Sequence, residues 1–494
     1  MAAIQATAGA RIAHTPELRR DRSIKVFYGL GSIAFGVKDN GFSVLLLLYY
    51  NQVLGLDARL AGLAIMLALL VDAVVDPVIG YASDHLHSRW GRRHPFMYAA
   101  AIPVALSYLL LFSPPTGLAQ QQLFFYLLAV AIVVRVCIAF YEIPSAALVA
   151  ELTEDYDQRT SYLSYRFFFG WIGGLTMSML AFSVFLRATP EFPVGQLNPA
   201  GYASYGQVAA AIMFIAILVS AIGTHSAIPR LKPPPEQTRQ SLGARFGEIV
   251  ATIGSRSALS ILLAGMLVAL ATGLTFALVT YFYTYFWELS PAQISILVSG
   301  SYVSATLALL IAPILSRRAD KRASAIACAL AMICLIPIPY AARFAGFFPS
   351  NDASALLPTL FAFSVVTTTL SIIWGILLTS MIADVVEDNE VRTGQRSEGV
   401  FFAVNTFIAK CVSGLGVFAS TAILEFARYP AKAVPGELDR DVLFRLATTY
   451  AAAVFVLNLI AALIVLSYRI TRAKHLANLQ TLAARAVGAA QSPQ

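Results

Sequence analysis

The sequence is poor in charge. Asp, Glu, Lys and Arg make up 13% of its 494 residues, while 58% are hydrophobic and the mean hydropathy is +0.70. A soluble domain carries about 25% charged residues, so this chain takes the bilayer as its solvent. It is also poor in cysteine. Cys137, Cys328, Cys334 and Cys411 all lie in apolar runs without C-x-x-C spacing. They read as small apolar fillers, not as a disulfide framework or a metal site. Residues 1–22 have no apolar stretch ahead of a cleavage site, so no cleaved signal peptide is expected. No nucleophile–base constellation, metal-ligand spacing or phosphate loop occurs, which makes an enzyme the least supported class. No cofactor is expected.

Long apolar runs fill the rest. Bounded by charge, Pro or Gly, they predict twelve spans: 27–52, 59–83, 95–114, 122–152, 166–187, 206–229, 258–287, 291–316, 323–343, 354–386, 400–426 and 442–468. The net charge of +8 is gathered in particular loops, which suits a membrane surface and not nucleic acid. Arg89, Arg92 and Arg93 stand between spans 2 and 3. Arg230, Lys232, Arg239, Arg245 and Arg256 stand between spans 6 and 7, and Arg317, Arg318, Lys321 and Arg322 between spans 8 and 9. The loops between spans 3 and 4 and between spans 7 and 8 hold no basic residue. The expectation is an integral multi-pass protein of a bacterial inner membrane, with both termini cytoplasmic.

The segment 230–256, with Pro233, Pro234 and Pro235, reads as a linker between a first half, 1–229, and a second, 257–494, that ends in a cytoplasmic tail. The halves repeat. VAELTEDYDQRT after span 4 matches IADVVEDNEVRT after span 10 without a gap, and Pro77 and Asp84 after span 2 match Pro313 and Asp320 after span 8. Equivalent loops on one side of the membrane mean parallel repeats. The predicted fold is therefore all-α: twelve transmembrane helices in two six-helix pseudo-symmetric halves, the major facilitator layout, with the substrate between them. Charges at these loop ends, Asp84, Arg92, Arg93, Glu151, Arg159, Asp384 and Arg392, are expected to pair across the halves as a cytoplasmic gate.

Charge inside a span costs a few kcal/mol and asks for a use. Span 1 carries Lys38 and Asp39, span 2 Asp72 and Asp76, span 4 Arg135 and Glu142, and span 11 Lys410. Asp72 and Asp76, four residues apart, project from one helix face. Two carboxylates so close form a hard-cation site or a proton site. Pro77 weakens the helix beside them. Lys410 is placed to neutralise the pair from the opposite half, so that ion binding and conformation are coupled. Arg135 serves charge balance.

These residues resemble the glycoside–pentoside–hexuronide:cation symporters, the family of melibiose permease, over nearly the whole chain. The likeness is carried by LLVDAVVDPVIGYASDHLHSRWGRRHPF in span 2, by YEIPSAALVAELTEDYDQRTSYLSYRFFFG in spans 4–5, and by SMIADVVEDNEVRTGQRSEGVFFAVNTFIAKCVSGLG in spans 10–11. The resemblance implies that Asp72 and Asp76 bind the cation and that Glu142 contacts the substrate. It gives Arg166 and Lys410 as the basic partners. Lys38 and Asp39 join Glu142 and Arg166 as substrate candidates. This chain departs from the pattern in places. A gapless fit from Tyr28 puts Gly36 at the sugar-binding aspartate of span 1, and Ala146 at the aromatic that stacks on sugar. Val75 and Ala139 replace neutral cation ligands, which favours a proton over sodium as the coupling ion.

The expected function is a cation-coupled symporter, acting as a monomer on a glycoside or related small organic solute. Two readings stay open beside it. One keeps the machinery for an amphipathic lipid-like solute, a lysolipid or hydrophobic aglycone, as in a related branch that resembles the vertebrate lysophosphatidylcholine symporter. The other is a solute sensor that moves nothing. The aromatic clusters of spans 5, 7 and 11 are expected to be mainly interfacial anchors, with a minority lining a cavity. Gly414 and Gly416 are expected to allow close helix packing.

Overall fold

The computed structural model describes residues 16–153, 156–230, 255–318, 320–393 and 398–491. Twelve helices among them are long and apolar enough to cross a membrane. They are α1 Ser23–Val53, α2 Ala58–His85, α3 His94–Leu111, α4 Gln120–Leu152, α5 Ser161–Phe185 and α6 Pro199–His225, then α7 Arg256–Phe286, α8 Pro291–Leu315, α9 Lys321–Phe344, α10 Leu356–Arg392, α11 Val404–Phe426 and α12 Arg440–Val465. A further helix, α13, covers Arg472–Gln491. No strand occurs among the described residues. The expected linker falls almost wholly outside them, as do Glu154 and Asp155 of the repeated loop.

Most limits lie within a few residues of the hydropathy reading, and the exceptions have local causes. α6 starts at Pro199, earlier than expected, because the Asn198 side chain accepts from the Ala200 N–H at 3.1 Å and Pro199 fills the first helical position. α10 continues to Arg392 through four acidic residues, Asp384, Glu387, Asp388 and Glu390, because basic groups meet most of them. The second part of α1 stays helical through two π-helical turns, Gly41–Leu45 and Tyr49–Val53.

With twelve spans among the described residues, the start of α1 and the end of α12 lie on one side of the bundle, the terminal end; the other is the far end. The packing repeats with the sequence. α1 lies on α5, α2 on α4, and α3 on α4 and α6. In the second half α7 lies on α11, α8 on α10, and α9 on α10 and α12. Each pair recurs six helices later, as parallel repeats require. Between the halves, α2 meets α11 and α5 meets α8, which is again a symmetric set.

Glycine makes the tightest crossings. A Cβ on Gly36 would lie 2.0 Å from the carbonyl oxygen of Gly170, and one on Gly416 2.4 Å from that of Leu270. The α1–α5 and α7–α11 crossings, equivalent in the repeats, are both closed on bare backbone. All four cysteines are free.

Candidate functional site

Midway along the bundle, α1, α2, α4 and α11 bring seven charged side chains into two linked groups. In the first, Arg135 Nη1 donates to Asp72 Oδ2 at 3.1 Å, and Lys410 Nζ lies 3.3 Å from the same oxygen and 2.5 Å from Asp76 Oδ2. Asp72 is 1% exposed. The second oxygen of Asp76 is buried and has no partner. Arg135 also lies over the Phe42 ring at 4.4 Å, so its guanidinium is held from two sides. In the second group, Lys38 Nζ lies 2.9 Å from Asp39 Oδ1 and 3.6 Å from Glu142 Oε2.

Arg166 stands beside them on α5. Its guanidinium donates to Ser145 Oγ at 2.9 Å and to the carbonyl oxygen of Glu142 at 3.3 Å, and stacks over Phe35. Four acids (Asp39, Asp72, Asp76, Glu142) and four bases (Lys38, Arg135, Arg166, Lys410) thus form a neutral set. The buried members, such as Asp72, Lys38 and Arg135, are sustained there by such balance. An added cation unbalances the set by one unit.

Next to this network lies a cavity of about 630 Å³ between the halves, lined from α1, α5, α7, α8, α9, α10 and α12. Asp39 is the one acidic or basic side chain on its wall among the described residues, and its side chain is 54% exposed. The crowding of Gly36 against α5 leaves no room for a side chain there, so the carboxylate of α1 reaches the cavity from Asp39 instead. A minority of the clustered aromatics lines the cavity. Phe167, Trp171, Phe282, Tyr283 and Trp287 are on its wall, although their clusters read first as interfacial anchors. Tyr281 and Tyr285 instead face the far end. The side chains of Phe401 and Phe402 lie outside the described residues.

The far end is shut by a polar clasp that hydropathy does not reveal. Tyr281 Oη donates to Asn51 Oδ1 at 2.9 Å and Tyr285 Oη to Gln52 Oε1 at 3.1 Å, both across the halves. The Ala433 N–H also donates to Gln52 Oε1, and Gln52 Nε2 donates to the Pro430 carbonyl. Arg428 and Lys432 carry φ of 54° and 55° to shape that loop. The one signal in the sequence is an Asn-Gln pair inside the apolar end of a span.

The expected gate residues pair differently from expectation. In this conformation the ion pairs that these residues make among the described residues lie within each half. Arg92 Nε and Arg93 Nε both donate to Glu151 Oε1 at 2.8 Å, and Arg93 Nη2 pairs with Asp84. In the second half Lys321 Nζ donates to Asp384 Oδ1 at 2.7 Å. The repeat holds: a base following α2 or α8 meets the matched acid at the end of α4 or α10. The reason is reach, since each pair joins neighbouring helices of one half. Arg159 and Arg392 are exposed, and Arg392 bonds Asn389 of its own helix. α13 adds Lys474 to Asp388 at 2.7 Å and His475 to Glu387 at 2.9 Å. Burial and the Asp384 carboxylate push the Tyr468 phenol above its ordinary pKa, so it remains the donor to Asp384 at 3.1 Å.

Known proteins resemble this chain in sequence and in fold. The family described as MFS/sugar transport protein matches residues 27–472. An uncharacterized symporter of Synechocystis sp. is 26% identical over 93% of this chain and 96% of its own. The isoprimeverose transporter of Lactiplantibacillus pentosus is 23% identical over 82% and 80%. Among solved structures, the inward-open xylose transporter XylE from E. coli superposes with a TM-score of 0.59 at 15% identity, covering 94% of this chain and 99% of that one. A match over nearly its whole length makes this chain a member of the MFS/sugar transport protein family.

Proposed function

We propose that the protein is a cation-coupled symporter that carries a glycoside by alternating access, with the proton as coupling ion. The observation that carries this reading is the Lys410 ammonium seated on Asp72 and Asp76 across the interface of the halves. An ion arriving at Asp76 competes with Lys410 for the same carboxylate. Protonation removes the attraction and frees α11 from α2. Losing one partner of a buried pair costs about 3–5 kcal/mol. That is the order of the ~5.5 kcal/mol needed to move a two-state equilibrium from 1:99 to 99:1. Sodium needs several oxygen ligands, and Val75 and Ala139 offer none from their side chains; a proton needs only the partnerless Asp76 oxygen.

Asp39, Lys38, Glu142 and Arg166 hold the hydroxyls of the substrate, while Arg135 balances the charge of Asp72. The Lys and Arg of the terminal-end loops favour a cytoplasmic location for both termini, in a bacterial inner membrane. With that orientation the clasped far end is periplasmic, and the conformation faces inward. Phe167, on the cavity wall near the terminal end of α5, is 67% exposed and marks the mouth. Both halves of the cavity come from one chain, so the monomer is the working unit. The bundle moves solute and leaves it chemically unchanged.

The test is accumulation of labelled glycosides by proteoliposomes under an acid-outside pH gradient. Accumulation that collapses with the gradient supports proton symport. Equilibration without accumulation under proton and sodium gradients alike contradicts it.

A further inference from the structure

Away from the cavity, the terminal end of α10 meets α13 around one imidazole. His475 Nδ1 lies 2.9 Å from Glu387 Oε2 and 3.4 Å from Asp384 Oδ1. Asp384 and Glu387 are three residues apart, so both carboxylates leave the same face of α10. Donor atoms of the three residues all lie within 4.8 Å of one another. The contact with Glu387 is close, yet it is not a hydrogen bond. His475 Nδ1 and Glu387 Oε2 are both shut off from solvent, and neither has a hydrogen-bond partner. A polar atom left so is costly, and here two of them face each other.

An ion between them accounts for this geometry. Zinc holds nitrogen at about 2.0–2.1 Å and carboxylate oxygen at about 2.0–2.2 Å, which sets tetrahedral ligands roughly 3.3 Å apart. The two separations, 2.9 and 3.4 Å, fall on either side of that edge. Ligands point at their ion and not at each other, so a close N···O contact between them need not be a hydrogen bond. Calcium and magnesium take oxygen ligands, whereas an imidazole with two carboxylates suits zinc and its transition-metal neighbours. The surroundings fit as well. Tyr468 Oη donates to Asp384 Oδ2 at 3.1 Å and fixes that carboxylate from outside. A cavity of about 230 Å³, lined in part by Asp320, Thr471 and His475, gives the ion a path and room for a water as fourth ligand. Lys321 Nζ, 2.7 Å from Asp384 Oδ1, is the cation that a metal would replace, and it lines the same cavity. Lys474 is engaged with the neighbouring Asp388.

We propose that Asp384, Glu387 and His475 form a site for a transition-metal dication of the zinc class. Two ligands come from α10 and one from α13, so the bound ion fastens α13 to the second half. It also takes Asp384 from Lys321, the pair that matches Arg92 and Arg93 on Glu151 in the first half. The site stands apart from the charged network of α1, α2, α4 and α11, and does not depend on what the cavity between the halves carries.

The experiment is equilibrium dialysis of zinc against the purified full chain without a polyhistidine tag, with magnesium in parallel. Wild type is compared with His475→Ala, Glu387→Gln and Lys474→Ala, each checked for fold by its elution profile. The chain has six histidines, so the readout is the equivalent of zinc lost in a variant and not the total. His475→Ala and Glu387→Gln are each expected to weaken one equivalent by ~100-fold or more, since changes outside the ligand shell alone cost about 10–100-fold. Lys474→Ala is expected to keep it. Zinc is expected to raise the melting temperature of wild type and to leave that of His475→Ala unchanged. No zinc bound by wild type, or equal binding by wild type, His475→Ala and Glu387→Gln, overturns the proposal. Loss in His475→Ala with none in Glu387→Gln also overturns it, because the ion then sits elsewhere. Displacement of zinc by an equal concentration of magnesium overturns the assignment to the zinc class.

Discussion

Lys410 of α11 reaches across the interface to Asp76 of α2, with Nζ 2.5 Å from Oδ2. It is a tie between the halves that an ion can displace. Replacing Lys410 by Met removes the competitor and keeps the length. Gradient-driven accumulation in Lys410→Met is expected to fall at least ~100-fold, because a buried pair is worth about 3–5 kcal/mol. Counterflow exchange of solute is expected to survive at a reduced rate. Intact accumulation in this variant would show that the tie has no part in coupling.

Arg135 and Asp72 form the second buried pair. Arg135→Gln strips Asp72 of one of its two cations and is expected to lower stability by about 3–5 kcal/mol. The double variant with Asp72→Asn is expected to recover more than half of that loss, because no uncompensated charge remains. Thermal unfolding in detergent, compared across the four members of the cycle, measures the coupling. Additive losses would mean that the two groups do not depend on each other.

Twelve spans, their limits and the repeat were legible in the sequence, because transfer to lipid acts on each span separately and leaves its mark in every run. The site was partly legible for the same reason: Lys38, Asp72, Asp76, Arg135, Glu142 and Lys410 stand out wherever charge is dear. Partnership was harder. Nothing local says that Arg93 turns to Glu151 and not across the halves, since that depends on how α3 lies on α4. The clasp left only the Asn51-Gln52 pair as a trace, because Asn51, Gln52, Tyr281 and Tyr285 are neutral and meet only when α1 and α7 converge. Asp39 was recognised by its charge, but its reach into the cavity follows from Gly36 packing on Gly170.

That clasp sets the balance between the two faces. Gln52→Leu removes the acceptor shared by Tyr285 Oη and the Ala433 N–H. At about 1 kcal/mol for each of these two hydrogen bonds, the equilibrium is expected to shift on the order of thirtyfold toward the state open at the far end. Labelling of Ser178→Cys by an impermeant maleimide from the far side reports it, with the native cysteines replaced. The rate is expected to rise about as much. An unchanged rate would mean that the clasp does not govern opening.

Glu151 gathers Arg92 and Arg93 at the terminal end, away from the cavity. Glu151→Gln is expected to lower the turnover rate on the order of tenfold, since charged hydrogen bonds are worth about 1.5–3 kcal/mol. Equilibrium solute affinity is expected to stay within about twofold. A loss of affinity equal to the loss of rate would place Glu151 in substrate binding and not in gating.

The central claim is that a proton taken up at Asp76 travels with the solute. The most direct measurement is external pH in lightly buffered cells expressing the protein, after addition of one glycoside at a time, with wild type beside Asp76→Asn. Alkalinisation evoked by a glycoside in wild type and absent in Asp76→Asn is the predicted result. Uptake of labelled glycoside without any pH change, or a pH change that persists in Asp76→Asn, would contradict it.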